Sequence, residues 1–411
     1  MTPFPLDLNA ILGHWPSYIV YVLIGFGFGY VLESSGFGKS TKLAGQFYLR
    51  EMTVLKVMFG AIITAMIGVF LTSALGLLDY NLVWVNPTYL WPGIVGGLIM
   101  GVGFIIGGFC PGTSLVSAAT LKLDGILFAA GVFFGIFAFG ETVGLYEDFW
   151  YSSYMGRFTL PELFNVDTGV VVLGVVLMAL AAFGLAEVSE RVFGKGLIPK
   201  QPRWRFGAAG VLVALAVVTL AIGQPTNADR QQWLAEEQET AISERRIQIH
   251  PAELLSYLNN RMVIPYLIDV RSETDFNKFH LPEAHHVPLD RVLALGPQLS
   301  LQPDNTLFVI MSNDETAATQ AWRILNAESV PNLYILEGGI NRWIETFADP
   351  EFVAANRIAG AADDQLAFRF DAALGDRQPM ARPSPDVFAN LEYEPRVTLV
   401  LKRGAGGGGC G

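Results

Sequence analysis

Two cysteines serve all 411 residues, and both stand in settings open to sulfur chemistry. Cys110 interrupts an apolar, glycine-studded run as Gly107-Gly108-Phe109-Cys110-Pro111-Gly112-Thr113-Ser114. Cys410 is penultimate in the arm Gly404-Ala405-Gly406-Gly407-Gly408-Gly409-Cys410-Gly411. A disulfide framework needs more cysteines than this. Pro111 suits the first position of a helix, which would set Cys110 at the N-cap. Unpaired backbone N–H groups and the positive end of the helix dipole gather there and favour an anion. Thr113 and Ser114 add hydroxyl donors for an oxyanion. Cys110, Pro111, Gly112, Thr113 and Ser114 therefore form the first candidate substrate site. On the arm, the seven residues 404–410 reach about 25 Å when extended, and glycine leaves the Cys410 thiol free to swing. Cys410 is the candidate sulfur carrier.

The elements that must position these thiols follow from hydropathy. The chain is 52% hydrophobic with a formal net charge of −11, which argues against nucleic acid as a partner. The apolar excess falls in residues 1–223, and the remainder reads as ordinary soluble sequence. Six runs meet the criterion of about 20 apolar residues per crossing, near 17–34, 52–77, 88–109, 124–145, 168–187 and 207–223. The N-terminus lacks a basic n-region, so the first run reads as a retained span rather than a leader. Lys39, Lys42, Arg50, Lys122, Arg191, Lys195, Lys200, Arg203 and Arg205 all fall in loops on one side. The positive-inside rule then places that side in the cytoplasm and both termini outside.

Inside this half lies a repeat. Gly25, Gly29, Gly36, Phe37, Thr41, Leu43 and Leu49 recur 72 residues later as Gly97, Gly101, Gly108, Phe109, Thr113, Leu115 and Leu121. Arg50 and Lys122 correspond in charge. Paired interrupted segments of this kind point to a transporter substrate site. They add Gly38, Lys39 and Ser40 to the candidate substrate contacts, with Gly38 at the place of Cys110.

The glycine-rich span, the Gly-Phe-Cys-Pro-Gly-Thr-Ser motif and its degenerate first copy resemble the YeeE/YedE family of sulfur-compound transporters over about residues 16–223. That resemblance implies thiosulfate uptake, with membrane cysteines contacting the passing anion. Where the family often has a second cysteine, this chain has Gly38.

The soluble half resembles a rhodanese domain over about 250–348. The resemblance is carried by Leu267-Ile268-Asp269-Val270-Arg271-Ser272, Phe279-His280-Leu281-Pro282-Glu283-Ala284 and Leu336-Glu337-Gly338-Gly339-Ile340-Asn341-Arg342-Trp343. Active members place a nucleophilic cysteine after the central strand and an arginine five residues later. Here those places hold Met311 and Thr316, and a thioether cannot carry a persulfide. The resemblance thus implies no catalytic residue in this loop. The tail resembles the Cys-bearing arm of the periplasmic carrier in sulfur-oxidation systems.

His280, His285 and His286 show no zinc spacing, and neither a metal nor a cofactor is implied. The expected fold is a polytopic α-helical membrane domain of about six spans with an internal repeat, followed by a C-terminal α/β rhodanese-like domain. The expected divisions are 1–223 membrane, 224–249 linker, 250–348 rhodanese-like, 349–403 extension and 404–411 arm. The apolar run Val397-Thr398-Leu399-Val400-Leu401 is expected to pack as an extra strand. The leading function is inner-membrane transport of a small sulfur anion, thiosulfate first, in a bacterium, with the soluble domain in the periplasm. Two alternatives stay open. One is a membrane-bound sensor or scaffold that recruits a periplasmic sulfur-carrier or sulfur-oxidation protein. The other is a sulfurtransferase acting through Cys410.

Overall fold

The computed structural model of the chain describes residues 3–193, 203–260, 262–388 and 391–400. Cys410 and its arm, with Lys195 and Lys200, lie outside the described residues. The chain divides between Gln224 and Pro225 into two compact units.

The first unit is helical: α1 His14–Ser34, α2 Ser40–Gly45, α3 Thr53–Ala74, α4 Leu90–Gly107, α5 Pro111–Ala119, α6 Leu123–Thr142, α7 Thr168–Phe193 and α8 Trp204–Ile222, with short connecting helices between them. Among the described residues, six helical segments are long and apolar enough to cross a membrane, α4 and α5 counting together as one. Large apolar side chains such as Phe26, Ile106, Phe134 and Phe206 stand exposed, as lipid-facing residues do. Two spans run beyond their apolar stretches. α7 continues to Phe193 past Glu187 and Glu190, and α8 begins at Trp204. The acids are tolerated because Arg205 pairs with Glu187, and Lys56 meets Glu190 at 2.6 Å. Glu190 also accepts the Met52 N–H at 2.7 Å, so it helps close the start of α3.

The sequence repeat is a backbone repeat. α1–α2–α3 and α4–α5–α6 follow the same course, each first span ending at a left-handed glycine, Gly36 (φ 78°) or Gly108 (φ 71°). A fully buried phenylalanine follows, Phe37 or Phe109. Each short helix then gives way to a left-handed leucine, Leu49 (φ 55°) or Leu121 (φ 59°). That conformation costs about 1–2 kcal/mol in a non-glycine residue, so its recurrence marks the same turn built twice. Leu32, Phe37, Leu43, Val54 and Phe109 form one cluster, giving the two copies a shared core. Ile63, Ile67, Val172, Val176, Ala179 and Ala216 form another among α3, α7 and α8.

The second unit is a five-stranded parallel sheet of order β1-β5-β4-β2-β3, with strands Gln248–Ile249, Ile264–Asp269, His285–His286, Thr306–Met311 and Leu333–Leu336 for β1 to β5. Central β4 is buried at every position. Its alternate residues feed opposite faces: Val309 and Met311 join one core with Leu267, Leu336 and Trp343, while Phe308 and Ile310 join another with Ile268, Trp322 and Ile335. Helix α9, Asn227–Ser243, covers the segment read as a linker and is bound into this unit. Asn227 Nδ2 donates to Ile324 O at 3.0 Å, and Arg230 meets Glu328 at 2.8 Å. Residues after 348 also belong to the fold. Phe368, Met380 and Ala381 enter the core, and Trp343 Nε1 donates to Met380 O at 2.9 Å.

The stretch 397–400 differs from its expected role as an extra strand. It runs beside Asn332 and Tyr334 through side-chain bonds, Val400 N to Asn332 Oδ1 at 2.7 Å and Thr398 N to Tyr334 Oη at 2.9 Å. β1 pairs only with Ile335 and Leu336 of β5, and beside the earlier part of that strand the stretch bonds side chains rather than a backbone ladder.

The turn after β5 brings Gly339 (φ 63°) so close to the loop after β4 that a Cβ would overlap Asp314 O. The same Cβ would lie 2.6 Å from the carbonyl oxygens of Ser312 and Asn313. Gly360 has a similar φ of 71° with open space around it. Gly360→Ala is expected to cost only the backbone strain, about 1–2 kcal/mol. Gly339→Ala should cost roughly 1–3 kcal/mol more through overpacking. Thermal unfolding of the two purified variants checks this; equal losses of Tm would refute the steric account.

Candidate functional site

The third apolar segment is broken at the motif. Gly108 ends α4 in the left-handed region, and its N–H donates to Phe104 O at 2.8 Å. Phe109 is then driven into the shared core, edge-on to Phe128 at 5.8 Å between ring centroids. That anchor leaves Cys110 extended at the N-cap of α5, with Pro111 in the first turn. The cap is reciprocal. Thr113 N–H donates to Cys110 Sγ at 3.4 Å, and Cys110 N–H donates to Thr113 Oγ1 at 3.0 Å. Sγ and Oγ1 themselves lie 3.2 Å apart.

Ser114 donates its hydroxyl to Pro111 O at 2.7 Å, so it is turned back on its own helix. Pro111 has no N–H, and the Gly112 N–H has no acceptor among the described residues. Thr113, Ser114 and Ser117 are buried, whereas Cys110 is half-buried. The arrangement offers an entering anion a thiol, one free backbone donor and the positive end of a nine-residue helix.

The first-repeat candidates are brought to the second repeat. A Cβ on Gly108 would touch Ser40 Cβ and Ser40 O at 3.1 Å, so the two motifs abut. Ser40 donates to Asp124 Oδ2 at 2.9 Å. Gly38 is buried beneath an ion pair: Lys122 Nζ meets Glu33 Oε1 at 3.2 Å. Lys39 is the N-cap residue of α2 without a side-chain cap bond, and it stands exposed. Glu33, Lys122 and Asp124 were not among the residues that the motif itself nominated. The available signal was Glu33, an acid near the end of an otherwise apolar span. A cavity of about 1320 Å³ lies elsewhere, among α3, α7 and α8, where Lys56, Glu190, Glu187 and Arg205 line it. None of the Cys110 motif residues does.

In the second unit, Met311 ends β4 fully buried, and Thr316 begins the helix that follows. Several backbone donors in and just after the loop between them are engaged. Asn313 N–H and Asp314 N–H both point at Asp364 Oδ1, at 3.0 and 3.4 Å. Thr316 N–H is taken by Asp314 Oδ1 at 2.6 Å and Ala318 N–H by Ser312 Oγ at 3.1 Å. Asp364 N–H in turn donates to Asp314 Oδ2 at 2.9 Å, and Asn313 Nδ2 to Asp364 O at 2.9 Å.

Burial, with the Asp314 charge adding to it, pushes the Asp364 carboxyl above its usual range. Burial acts on Asp314 too, but the N–H groups of Thr316 and Asp364 outweigh it and hold that carboxyl low. The histidines are used structurally. His280 Nδ1 bonds Phe276 O at 2.8 Å, His286 Nε2 bonds Arg271 O at 2.9 Å, and His285 stacks on Tyr266.

Comparison with known proteins bears on both units. The family described as sulphur transport matches residues 34–261, and the rhodanese-like domain matches residues 250–346. The thiosulfate transporter TsuA of Spirochaeta thermophila is 27% identical over 143 residues, 34% of this chain. That match spans 40% of the relative's own length. No solved structure matches the chain. Since the first match covers more than half of the sequence, the chain belongs to the sulphur transport family, as a membrane protein that also carries a rhodanese-like domain.

Proposed function

We propose that the membrane unit moves a small sulfur oxyanion, thiosulfate first, past Cys110. The observation that carries this reading is the capped thiol at the break between α4 and α5, inside the apolar segment Leu90–Ala119. Thiosulfate has a soft terminal sulfur and hard oxygens at its other end. The Cys110 S–H can donate to the sulfur, while the Gly112 N–H and the helix N-terminus favour the oxyanion end. The similarity to a thiosulfate transporter favours thiosulfate over other sulfur anions.

The basic loops with Lys39, Lys42, Arg50, Lys122 and Arg205 support a topology in which they face the cytoplasm of a bacterial cell and the rhodanese-like domain faces the periplasm. That domain does not act as a sulfurtransferase through its own loop. Met311 replaces the nucleophile within the strand, and the Asp364 carboxylate occupies donors that an active loop would offer to an anion. Its role is to position the Cys410 arm, or to dock a periplasmic sulfur carrier against it.

Two measurements test these roles. Uptake of radiolabelled thiosulfate by cells expressing Cys110→Ala should fall at least about tenfold, the worth of one charge-assisted contact. Uptake at the wild-type rate in a verified, membrane-inserted variant would remove Cys110 from the path.

The loop predicts a pH effect. A folded carboxyl raised above its ordinary value of 3.8 binds its proton more tightly than the unfolded chain does. Asp364 therefore lowers stability as pH rises through the window above 3.8, and the cost persists at neutral pH. The depressed Asp314 acts oppositely, its contribution being lost as pH falls through its lowered value. Asp364→Asn keeps an oxygen acceptor and removes the charge. Its Tm at neutral pH should equal or exceed that of wild type, with a smaller loss of stability as pH rises above 3.8. Asp364→Ala should lower Tm by leaving two backbone donors unpaired. Parallel pH profiles for all three proteins would refute the closed-loop account.

A further inference from the structure

The two repeats are alike in backbone and unlike in chemistry at one point. Where the second copy has Ile105 and Cys110, the first has Glu33 and Gly38, 72 residues earlier in each case. A Cβ on Gly38 would overlap Glu33 Oε2 and lie 2.8 Å from Lys122 Nζ. The carboxylate thus lies over the position corresponding to the cysteine, in the space a side chain there would claim. Glycine at 38 is what lets it do so. Glu33 Oε1 holds Lys122 at 3.2 Å, but Oε2 is buried with no hydrogen-bond partner. The Lys122 ammonium has three donors, and Glu33 is its one partner among the described residues. The pair joins the first repeat to the second, and the side chains of Lys122 and Glu33 remain 30% and 41% exposed.

We infer that Glu33 and Lys122 form an ion-pair gate on the anion path. The Glu33 carboxylate holds the Lys122 ammonium while no anion is bound, and yields it to the substrate's oxygens when the anion reaches Gly38, the counterpart of Cys110 in the first repeat. A half-satisfied carboxylate is the right incumbent, because an oxyanion with several acceptors offers the ammonium more than Oε1 alone does. Thiol and ammonium then act as two successive stations, at Cys110 and beside Gly38. The thiol reads the terminal sulfur, and Lys122 reads the oxygens. Sulfate, which lacks the terminal sulfur, engages only the second element and should compete weakly. The inference rests on the proposed transport of a sulfur oxyanion by the membrane unit.

The gate makes the two partners unequal, which a structural ion pair would not. Binding and uptake of radiolabelled thiosulfate are measured on purified full-length protein in detergent and in proteoliposomes, for wild type, Cys110→Ala, Glu33→Gln, Lys122→Gln and the double variant Glu33→Gln/Lys122→Gln. Glu33→Gln should bind more tightly, with KM at least about threefold lower and a slower maximal rate, because the competing anion is gone. Lys122→Gln should raise KM about tenfold or more, and the double variant should follow it.

Gly38→Ala provides a second perturbation that keeps both charges. It crowds both the Glu33 carboxylate and the Lys122 ammonium, so it should part the pair and move KM away from the wild-type value. If Glu33→Gln, Lys122→Gln and Gly38→Ala all lose uptake equally, or all keep the wild-type KM, the gate is overturned while the transport reading stands on Cys110→Ala. If wild-type protein neither binds nor transports thiosulfate, both fall together.

Discussion

Everything distinctive in the membrane unit follows from one constraint: backbone donors and acceptors must be satisfied where water is scarce. A helix interrupted within an apolar segment frees such groups, and the break between α4 and α5 is closed by a few residues. Gly108 turns the chain and bonds back to Phe104. Phe109 fixes the turn in the core. Pro111 removes one donor by having none. Cys110 and Thr113 then cap each other. What remains is the Gly112 N–H and a thiol, which are soft and directional enough to meet an anion without holding it as a fixed charge would. The site is in this sense the residue of an incomplete cap.

The repeat supplies the second half of the argument. Two copies of one turn share a core, so a change in either copy is felt at the other. Ser40 against Gly108 and Asp124, and Glu33 against Lys122, tie the copies by polar contacts in addition to the apolar cluster. Other pairs in the unit have a different character. Lys56–Glu190 is shorter and better buried, and its carboxylate also holds the Met52 N–H. That pair is fully engaged and fastens α3 to α7. The Glu33 carboxylate has one oxygen engaged and one idle, and this separates a fastening from an exchangeable contact.

Much of this architecture is legible in the sequence because hydropathy acts locally. The six apolar runs mark the spans, and the short continuous apolar runs of β2, β4 and β5 mark a sheet buried on both faces. Pro111 announces the helix start, and with it the placement of Cys110. What local reading misses is held by distant partners. α7 outlasts its apolar run because Lys56 and Arg205 neutralise its acids from other helices. The expected strand at 397–401 gives no sign of the distant side chains, Asn332 and Tyr334, that hold residues 397–400 instead of a ladder. Asp364 gives no sign in the sequence that it reaches the loop after β4. Glu33 and Lys122 are 89 residues apart, and only the superposition of the two repeats brings them together.

Each unit places one of its own carboxylates where an external anion would otherwise be drawn, and the difference between the two cases is instructive. Asp364 accepts two backbone N–H groups, donates its own N–H to Asp314 and takes a further bond from Asn313 at its carbonyl. An incoming anion would have to break all of these together, against the charge of Asp314, so the loop is closed by cooperation among its bonds. Glu33 has one recorded partner and an idle oxygen, and it is linked to the chain by a flexible side chain. An anion needs to outbid one contact only. The same device, an internal carboxylate in an anion's place, thus closes one unit while leaving the other ready for exchange. The count of bonds each carboxylate must surrender decides which outcome follows.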